Sequence, residues 1–306
     1  MLNNKYLIFF LFALFFPFKL HASSCCGGGS SSSLILLDDD LSSISLGMNF
    51  RNDLGQTDGE GWASFNEEGI VDKQSSLNIQ WQRLLNESIQ IAFKSGLSEK
   101  TIFKQKRYEK KSGLSETELQ TTYEFLPEYN YSLYKPRGFV FLKASIPGSP
   151  SLYDSKSNIF SDVRGTGLYS LSSGAFFIKR FSTISLKSAI EWQHIFGRTF
   201  QTKAFKLHDY NKFNFPMSMG FSLDPMPFTI GAGLTWNYQS AKKFTGSINN
   251  QSQSEYFWET SAFINWVISR EKSLGLSYSD STLVGKNISS PLYRTIGFTF
   301  TQTTAL

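Results

Sequence analysis

From residue 41 onward, apolar side chains return on every second position, which selects strands rather than helices as the framework. Ile44, Leu46, Met48 and Phe50 alternate with Ser45, Gly47 and Asn49. Leu77, Ile79 and Trp81 alternate with Asn78, Gln80 and Gln82, and after a tight Leu85-Asn86-Glu87 turn Ile89, Ile91 and Phe93 alternate with Gln90, Ala92 and Lys94. Phe213 to Phe221, Phe228 to Tyr238, Tyr256 to Ile268 and Ile296 to Phe300 continue the pattern. Residues 138–146 and 166–179 read as strands with no clear outward face. Twelve strands are expected in all.

The connections fall into two classes that alternate strictly. Residues 84–87, 179–182, 223–227 and 269–272 are short turns, with 127–137 a longer member of the set. Residues 52–74, 96–116, 147–165, 193–211, 239–254 and 280–292 are long, polar and rich in Gly, Ser and Asn. Short turns on one side and long loops on the other are the pattern of an outer-membrane barrel. A sheet facing lipid must also close, because an open edge would leave backbone N–H and C=O groups unsatisfied in hydrocarbon. The expected fold is therefore all-β, a transmembrane antiparallel up-and-down barrel of about twelve strands with both termini on the periplasmic side.

Composition decides between this and a soluble sandwich. Aromatics make up 16% of the 306 residues and charged residues only 18%, against roughly 25% charged in soluble domains. Yet mean hydropathy is −0.21, too polar for a bundle of membrane helices. Alternating apolar and polar residues reconcile these values. Trp192, Trp236, Tyr238, Tyr256, Trp258, Trp266 and Tyr278 sit where interfacial aromatic girdles are expected.

The N-terminus supplies an export signal. Lys5 precedes the apolar run Tyr6–Phe18, too short to span a bilayer, and small residues up to Ser24 offer cleavage sites. Three segments follow: 1–24 a signal peptide, 25–40 a flexible, solvated Cys/Gly/Ser-rich tail, and 41–306 the barrel. The two cysteines, Cys25 and Cys26, are adjacent, which excludes a disulfide framework. Cys25 is a weak candidate for lipidation, since Ala22-Ser23-Ser24 lacks a large aliphatic residue three positions earlier. The net charge of +5, two units of which leave with Lys5 and Lys19, points to no nucleic-acid partner.

Chemistry is sparse. His194 and His208 lie in or beside one outer loop with no metal-ligand spacing, and His194 is followed by Ile195-Phe196-Gly197 rather than by a nucleophilic serine. Gly165-Thr166-Gly167 and Gly231-Ala232-Gly233 sit in strand patterns and are not phosphate loops. No catalytic, metal or cofactor site is expected, and the protein is not expected to be an enzyme. What remains is the lumen. With the apolar stripe facing lipid, Gln80, Gln82, Gln90, Lys94, Gln120, Glu124, Lys187, Glu191, Glu259 and Asn265 are the candidate lining. Residues 51–75 carry six acids against two bases and 94–111 carry seven bases against two acids, so the two loops are expected to form a salt-bridged cover over the mouth or to contact lipopolysaccharide.

The opening CCGGG, the DDD before the first strand, the RGTGLYSLSSGAFF stretch and the terminal LSYSDSTL…YRTIGFTF hairpin resemble Gram-negative outer-membrane proteins. They are more loosely similar to the outer-membrane family linked to the meta-pathway of phenol degradation. That resemblance implies a barrel transporter for small, often aromatic, compounds. The chain departs from the usual barrel ending, closing on Thr303-Thr304-Ala305-Leu306 instead of an aromatic; either Phe298 and Phe300 serve assembly or the tail extends past the last strand. The expected function is passive passage of small solutes. The alternative is a non-conducting surface barrel whose loops bind a partner. Expected partners are membrane lipid, lipopolysaccharide and the barrel-assembly machinery.

Overall fold

A computed structural model describes residues 34–37, 40–67, 69–104, 106–128, 132–247 and 249–305. The export segment and both cysteines lie outside these residues. Twelve long strands form the wall: β1 (Asp40–Thr57), β2 (Val71–Leu84), β3 (Ile89–Lys104), β4 (Thr117–Leu126), β5 (Arg137–Ile146), β6 (Ser170–Phe181), β7 (Ile184–Ile195), β8 (Tyr210–Ser222), β9 (Phe228–Gln239), β10 (Glu255–Ser269), β11 (Lys272–Asp280) and β12 (Pro291–Ala305). Each pairs antiparallel with its neighbours in sequence, and β12 returns to β1 in register from Asp40↔Ala305 to Gln56↔Pro291. The wall is closed, so each of its twelve strands has a neighbour on both sides. Two short strands extend the sheet: Ala63–Phe65 on β1 and Arg107–Leu114 on β3.

The short turns have local causes. At the β2–β3 turn the Asn86 carboxamide oxygen accepts the N–H groups of Ser88 and Ile89 at 3.0 and 2.8 Å, an Asx turn that reverses the chain in few residues. The β6–β7 and β10–β11 connections are as short, while the connections at the opposite rim are long. Two of the long loops build structure of their own. Thr199–Phe200, Phe205–Leu207, Lys243–Gly246 and Asn250–Gln251 form a four-stranded sheet above the wall. It packs Phe200, Phe205, Leu207 and Phe244 with Leu168, Ile195 and Tyr210, and the Tyr153 ring from the β5–β6 loop sits 5.3–5.5 Å from three of these phenyl rings.

The outer surface of the wall carries the apolar stripe. Ile44, Leu46, Met48 and Phe50 of β1 lie beside Leu77 and Ile79 of β2 and beside Ile296 and Phe298 of β12, all exposed. Trp236 and Tyr238 stack on that surface, as do Phe228 and Trp266 at the other rim. In β5 and β6 both faces are apolar. Val140, Leu142 and Leu171 face out, while Phe139, Phe141, Phe176 and Ile178 are buried inside. Alternation is lost there because the inner face packs against apolar residues too.

Three expectations need correction. Leu34–Leu37 belong to the stretch expected to be a flexible, solvated tail, yet they are buried within the barrel, Leu34 and Ile35 each 2% exposed. The loop expected at 96–116 is mostly strand: β3 runs on to Lys104 and Arg107–Leu114 returns beside it. Gly165, Thr166 and Gly167 lie in the loop before β6 rather than in a strand, and Gly167 has φ +67, with Ser151 backbone 2.1 Å from where a Cβ would stand. A side chain at Gly167 would meet both obstacles.

Candidate functional site: the lumen

Inside the barrel lies part of its own N-terminal segment, Leu34–Leu37. Leu36 N–H donates to Gln90 Oε1 at 2.8 Å and Gln90 Nε2 donates to the Leu36 carbonyl at 3.1 Å. Two residues earlier the arrangement repeats: Leu34 N–H donates to Gln120 Oε1 at 3.3 Å and Gln120 Nε2 to the Leu34 carbonyl at 2.9 Å. Each carboxamide imitates a neighbouring strand, offering one donor and one acceptor to an extended backbone. The intervening side chains face the other way. Ile35 and Leu37 pack with Phe139, Phe176, Ile178 and Ala189 of β5–β7. The segment is thus held by glutamines on β3 and β4 and by an apolar wall on β5–β7, in the half of the barrel nearer the short turns.

Above it runs a ladder of charge. Lys94 reaches Glu118 at 2.9 Å, Lys143 lies 4.0 Å from Glu118, and Lys143 reaches Glu191 at 2.6 Å. The last contact crosses β6 diagonally, where register places Ser172 beside Lys143 and Gly174 beside Glu191. Small residues at both positions leave room for the bridge. A Cβ on Gly174 would stand 2.5 Å from the Phe141 ring. The opposite side is mostly small and neutral, Thr229, Gly231, Gly233 and Thr235 of β9, Ser273 and Gly275 of β11 and Thr299 and Thr301 of β12, with Glu259 of β10 the acid among them. Phe263 lies over Gly231, whose Cβ would stand 2.2 Å from the ring edge. Nearer the long loops, Tyr293 donates to Glu259 Oε2 at 2.8 Å beneath the Arg51 guanidinium, 3.9 Å above its ring.

Every expected lining residue sits on the face opposite the exposed apolar stripe. Gln90 and Gln120 hold the segment; Lys94 and Glu191 join the ladder. Glu124 pairs with Arg137 at 2.9 Å, and Glu259 takes the Tyr293 hydroxyl. Gln82 and Asn265 are buried, Gln80 and Lys187 half-buried. Sequence reasoning missed Glu118, which the parity of Gln120 and Glu124 would have found. It missed Lys143 because the facing of residues 138–146 was undecided. Of the two charged loops expected to cover the mouth, one salt bridge among the described residues joins them, Lys100 to Asp72 at 3.5 Å. Glu109 instead accepts the Ser157 and Ser161 hydroxyls of the β5–β6 loop at 2.5 and 2.7 Å, which holds its carboxyl below the usual carboxylate range. His194 bonds Asn211 and lies 3.3 Å from Asp209; His208 bonds Thr245. Among the described residues no group of His, Cys, Asp and Glu could hold a metal ion. Cys25 lies outside the described residues.

An outer-membrane channel from Pseudomonas putida F1 has a similar structure, with a TM-score of 0.68 over 90% of this chain and 100% of that one, at 9% identity. The fold is that of an outer-membrane β-barrel. The β domain of the Bordetella autotransporter BrkA matches less closely, with a TM-score of 0.49, 10% identity and coverage of 87% and 100%. The transport unit of the Escherichia coli autotransporter AIDA-I gives 0.47, 9% identity and coverage of 90% and 94%. No family profile and no curated protein sequence matches this chain.

Proposed function

We propose that this protein is an outer-membrane channel for passive passage of small polar solutes, narrowed by its own Leu34–Leu37 segment. The observation that carries the reading is the lumen wall itself. A closed barrel meant only as a scaffold can fill its whole interior with apolar side chains, whereas here the apolar patch around Leu34–Leu37 is local, and the lumen beside it carries Ser, Thr and Gly on one side and a lysine–glutamate ladder on the other. The likeness in fold to a protein described as an outer-membrane channel supports it. Because cations and anions along the ladder are paired, the passage favours neither sign strongly.

A second reading has an observation of its own. The Leu34–Leu37 segment inside and the four-stranded loop sheet above both take up space on the path. A barrel kept filled would be a surface scaffold whose loops bind a partner. Purified protein in planar bilayers and in swelling liposomes separates the two. Sugar-permeable liposomes and discrete conductance steps, larger after deletion of 34–37, support the channel. Silence from both the full chain and the deletion, with the folded heat-shifted band retained on gels, would refute it.

A further inference from the structure

The ladder of charge in the lumen has an upper rung that is not closed. Lys143 ties Glu118 of β4 to Glu191 of β7, at 4.0 and 2.6 Å, and Glu191 stands opposite Asn214 of β8. One inward step nearer the long loops is about 6.6 Å along a strand. At that step Glu116, just before β4, continues the inward series of Gln120 and Glu118, and Lys212 lies above Asn214. No lysine bridges this level. The position above Lys143 on β5 is Ser145, which pairs with Ser170 of β6, so short side chains line the wall between the two charges. Neither Glu116 nor Lys212 has a hydrogen-bond or ion-pair partner among the described residues, yet each acts on the other through space.

The cation is set among donors. Lys212 stands directly across from Gln239 of β9, and Asn214 across from Asn237. Opposed side chains on an antiparallel pair have Cβ atoms about 5 Å apart and diagonal ones about 7–8 Å, so both amides reach whatever the Lys212 ammonium holds. Gln239 is 8% exposed, and its Nε2 and the Asn237 Nδ2 are buried with no acceptor. Buried donors are almost always paired, so two together on one lumen face call for an acceptor. Lys242 and Glu255 at the same rim satisfy each other at 3.1 Å. Three donors, one of them charged, thus stand on β8 and β9 without an acceptor, and a carboxylate without a donor stands at the same level beside β4. A simple anion here would meet Glu116 and a simple cation would meet Lys212. A solute carrying both charges complements both ends.

We propose that Glu116 and Lys212 form a lumen subsite for a zwitterionic solute, an α-amino acid. Its carboxylate accepts from Lys212, Gln239 and Asn237, its ammonium donates to Glu116, and Ser145 and Ser170 leave room for its side chain. The inference deepens the channel reading and rests on it, since it gives the passing solute a class: one with no net charge, suited to a lumen whose other rungs are paired. Its rival is a direct bridge between the two side chains that leaves nothing for a solute to hold.

The test is equilibrium dialysis of the full-length protein in detergent, which reads binding whether or not the barrel conducts. The probes are labelled L-alanine, lactate, which replaces the ammonium by a hydroxyl, and alaninol, which replaces the carboxylate by a hydroxymethyl group. Alanine is expected to bind at least tenfold more tightly than either. Lys212→Gln and Glu116→Gln are each expected to lose at least tenfold in alanine affinity while keeping the heat-shifted folded band. Should one variant fail that check the other is read alone, and the ranking of the three probes on the wild type needs neither. Lactate or alaninol binding as tightly as alanine overturns the proposal, as does alanine affinity unchanged in a folded variant. So does the absence of saturable alanine binding, which is the outcome a direct bridge predicts. Selective binding by a protein silent in bilayers would defeat the channel reading alone.

Discussion

Replacing Gln90 with alanine isolates what holds the segment in the lumen. The carboxamide makes two hydrogen bonds, both to Leu36, at 2.8 and 3.1 Å. Removing it leaves a buried N–H and a buried C=O unpaired, each costing about 1–3 kcal/mol. The occupied state therefore loses about 2–6 kcal/mol, and lumen water reaching the freed groups puts the effect toward the lower end. At about 1.4 kcal/mol per factor of ten, even about 2 kcal/mol raises the ratio of released to seated segment roughly 30-fold. Gln120→Ala removes the second pair of bonds, at 3.3 and 2.9 Å, and also frees Thr122. The double variant is expected to resemble deletion of 34–37. Single-channel recording reads this directly, as longer or larger openings in each variant, with Gln80→Ala on the same wall unchanged. Barrel folding is checked by the heat-shifted band and is expected to persist, since the hydrogen bonds of both carboxamides go to the segment and, for Gln120, to Thr122 of its own strand. If Gln90→Ala, Gln120→Ala and the deletion all conduct as the wild type does, the segment does not limit the pathway.

Three further outcomes follow from the geometry. Ile264→Arg puts a cation on the outward face of β10, where Ile264 is 45% exposed beside Ile230 and Leu276; unfolding in lipid vesicles should show a loss of ~2–4 kcal/mol, and an unchanged stability would mean that this face does not meet hydrocarbon. Lys143→Met leaves Glu191 without its 2.6 Å partner and Glu118 with Lys94 alone, so the reversal potential in a salt gradient should move toward cation preference, and no movement would place the ladder off the conducting path. Glu109, held below the usual carboxylate range by the Ser157 and Ser161 hydroxyls, stabilises the docked β5–β6 loop in its ionised form. A depressed carboxylate contributes fully above its unfolded value and loses that contribution as pH falls through its folded value, so protection of the amides at residues 157–161, taken relative to the unfolded-chain exchange rate, should fall on acidification below about pH 4. Glu109→Gln should weaken the dependence and leave the share set by Asp162, which the Ser155 hydroxyl and Lys156 N–H also hold low.

How much of this was legible in sequence varies with the strand. Where one face meets lipid and the other a polar lumen, as in β1 to β3 and β8 to β12, alternation revealed strand, facing and lining together. In β5 and β6 it could not. Phe139, Phe176 and Ile178 look inward at apolar partners, so both faces carry large apolar residues and the period-two signal vanishes. That loss of alternation was itself the trace of a filled lumen, readable only once Leu34-Ile35-Leu36-Leu37 is recognised as its counterpart. The flanking Gly and Ser run drew the whole stretch into a tail by composition. Lys143 was missed for the same reason, since its contact with Glu191 skips a strand and depends on the small Ser172 and Gly174 between them.

Sequence by itself determined the solvent and therefore the architecture. A period-two pattern with an aromatic stripe, together with long and short connections in strict alternation, requires a sheet with one face in lipid, and lipid tolerates no open edge. These are local properties, and each strand states its own share of them. Only the tertiary structure decided what the barrel encloses. The Gln90 and Gln120 amides, the apolar patch on β5–β7 and the segment at 34–37 are separated by up to 155 residues, from Leu34 to Ala189. Neighbourhood along the chain carries no information about such a meeting. Closing the wall brings them together, because a lumen one barrel wide places residues of opposite strands within reach of anything extended through it.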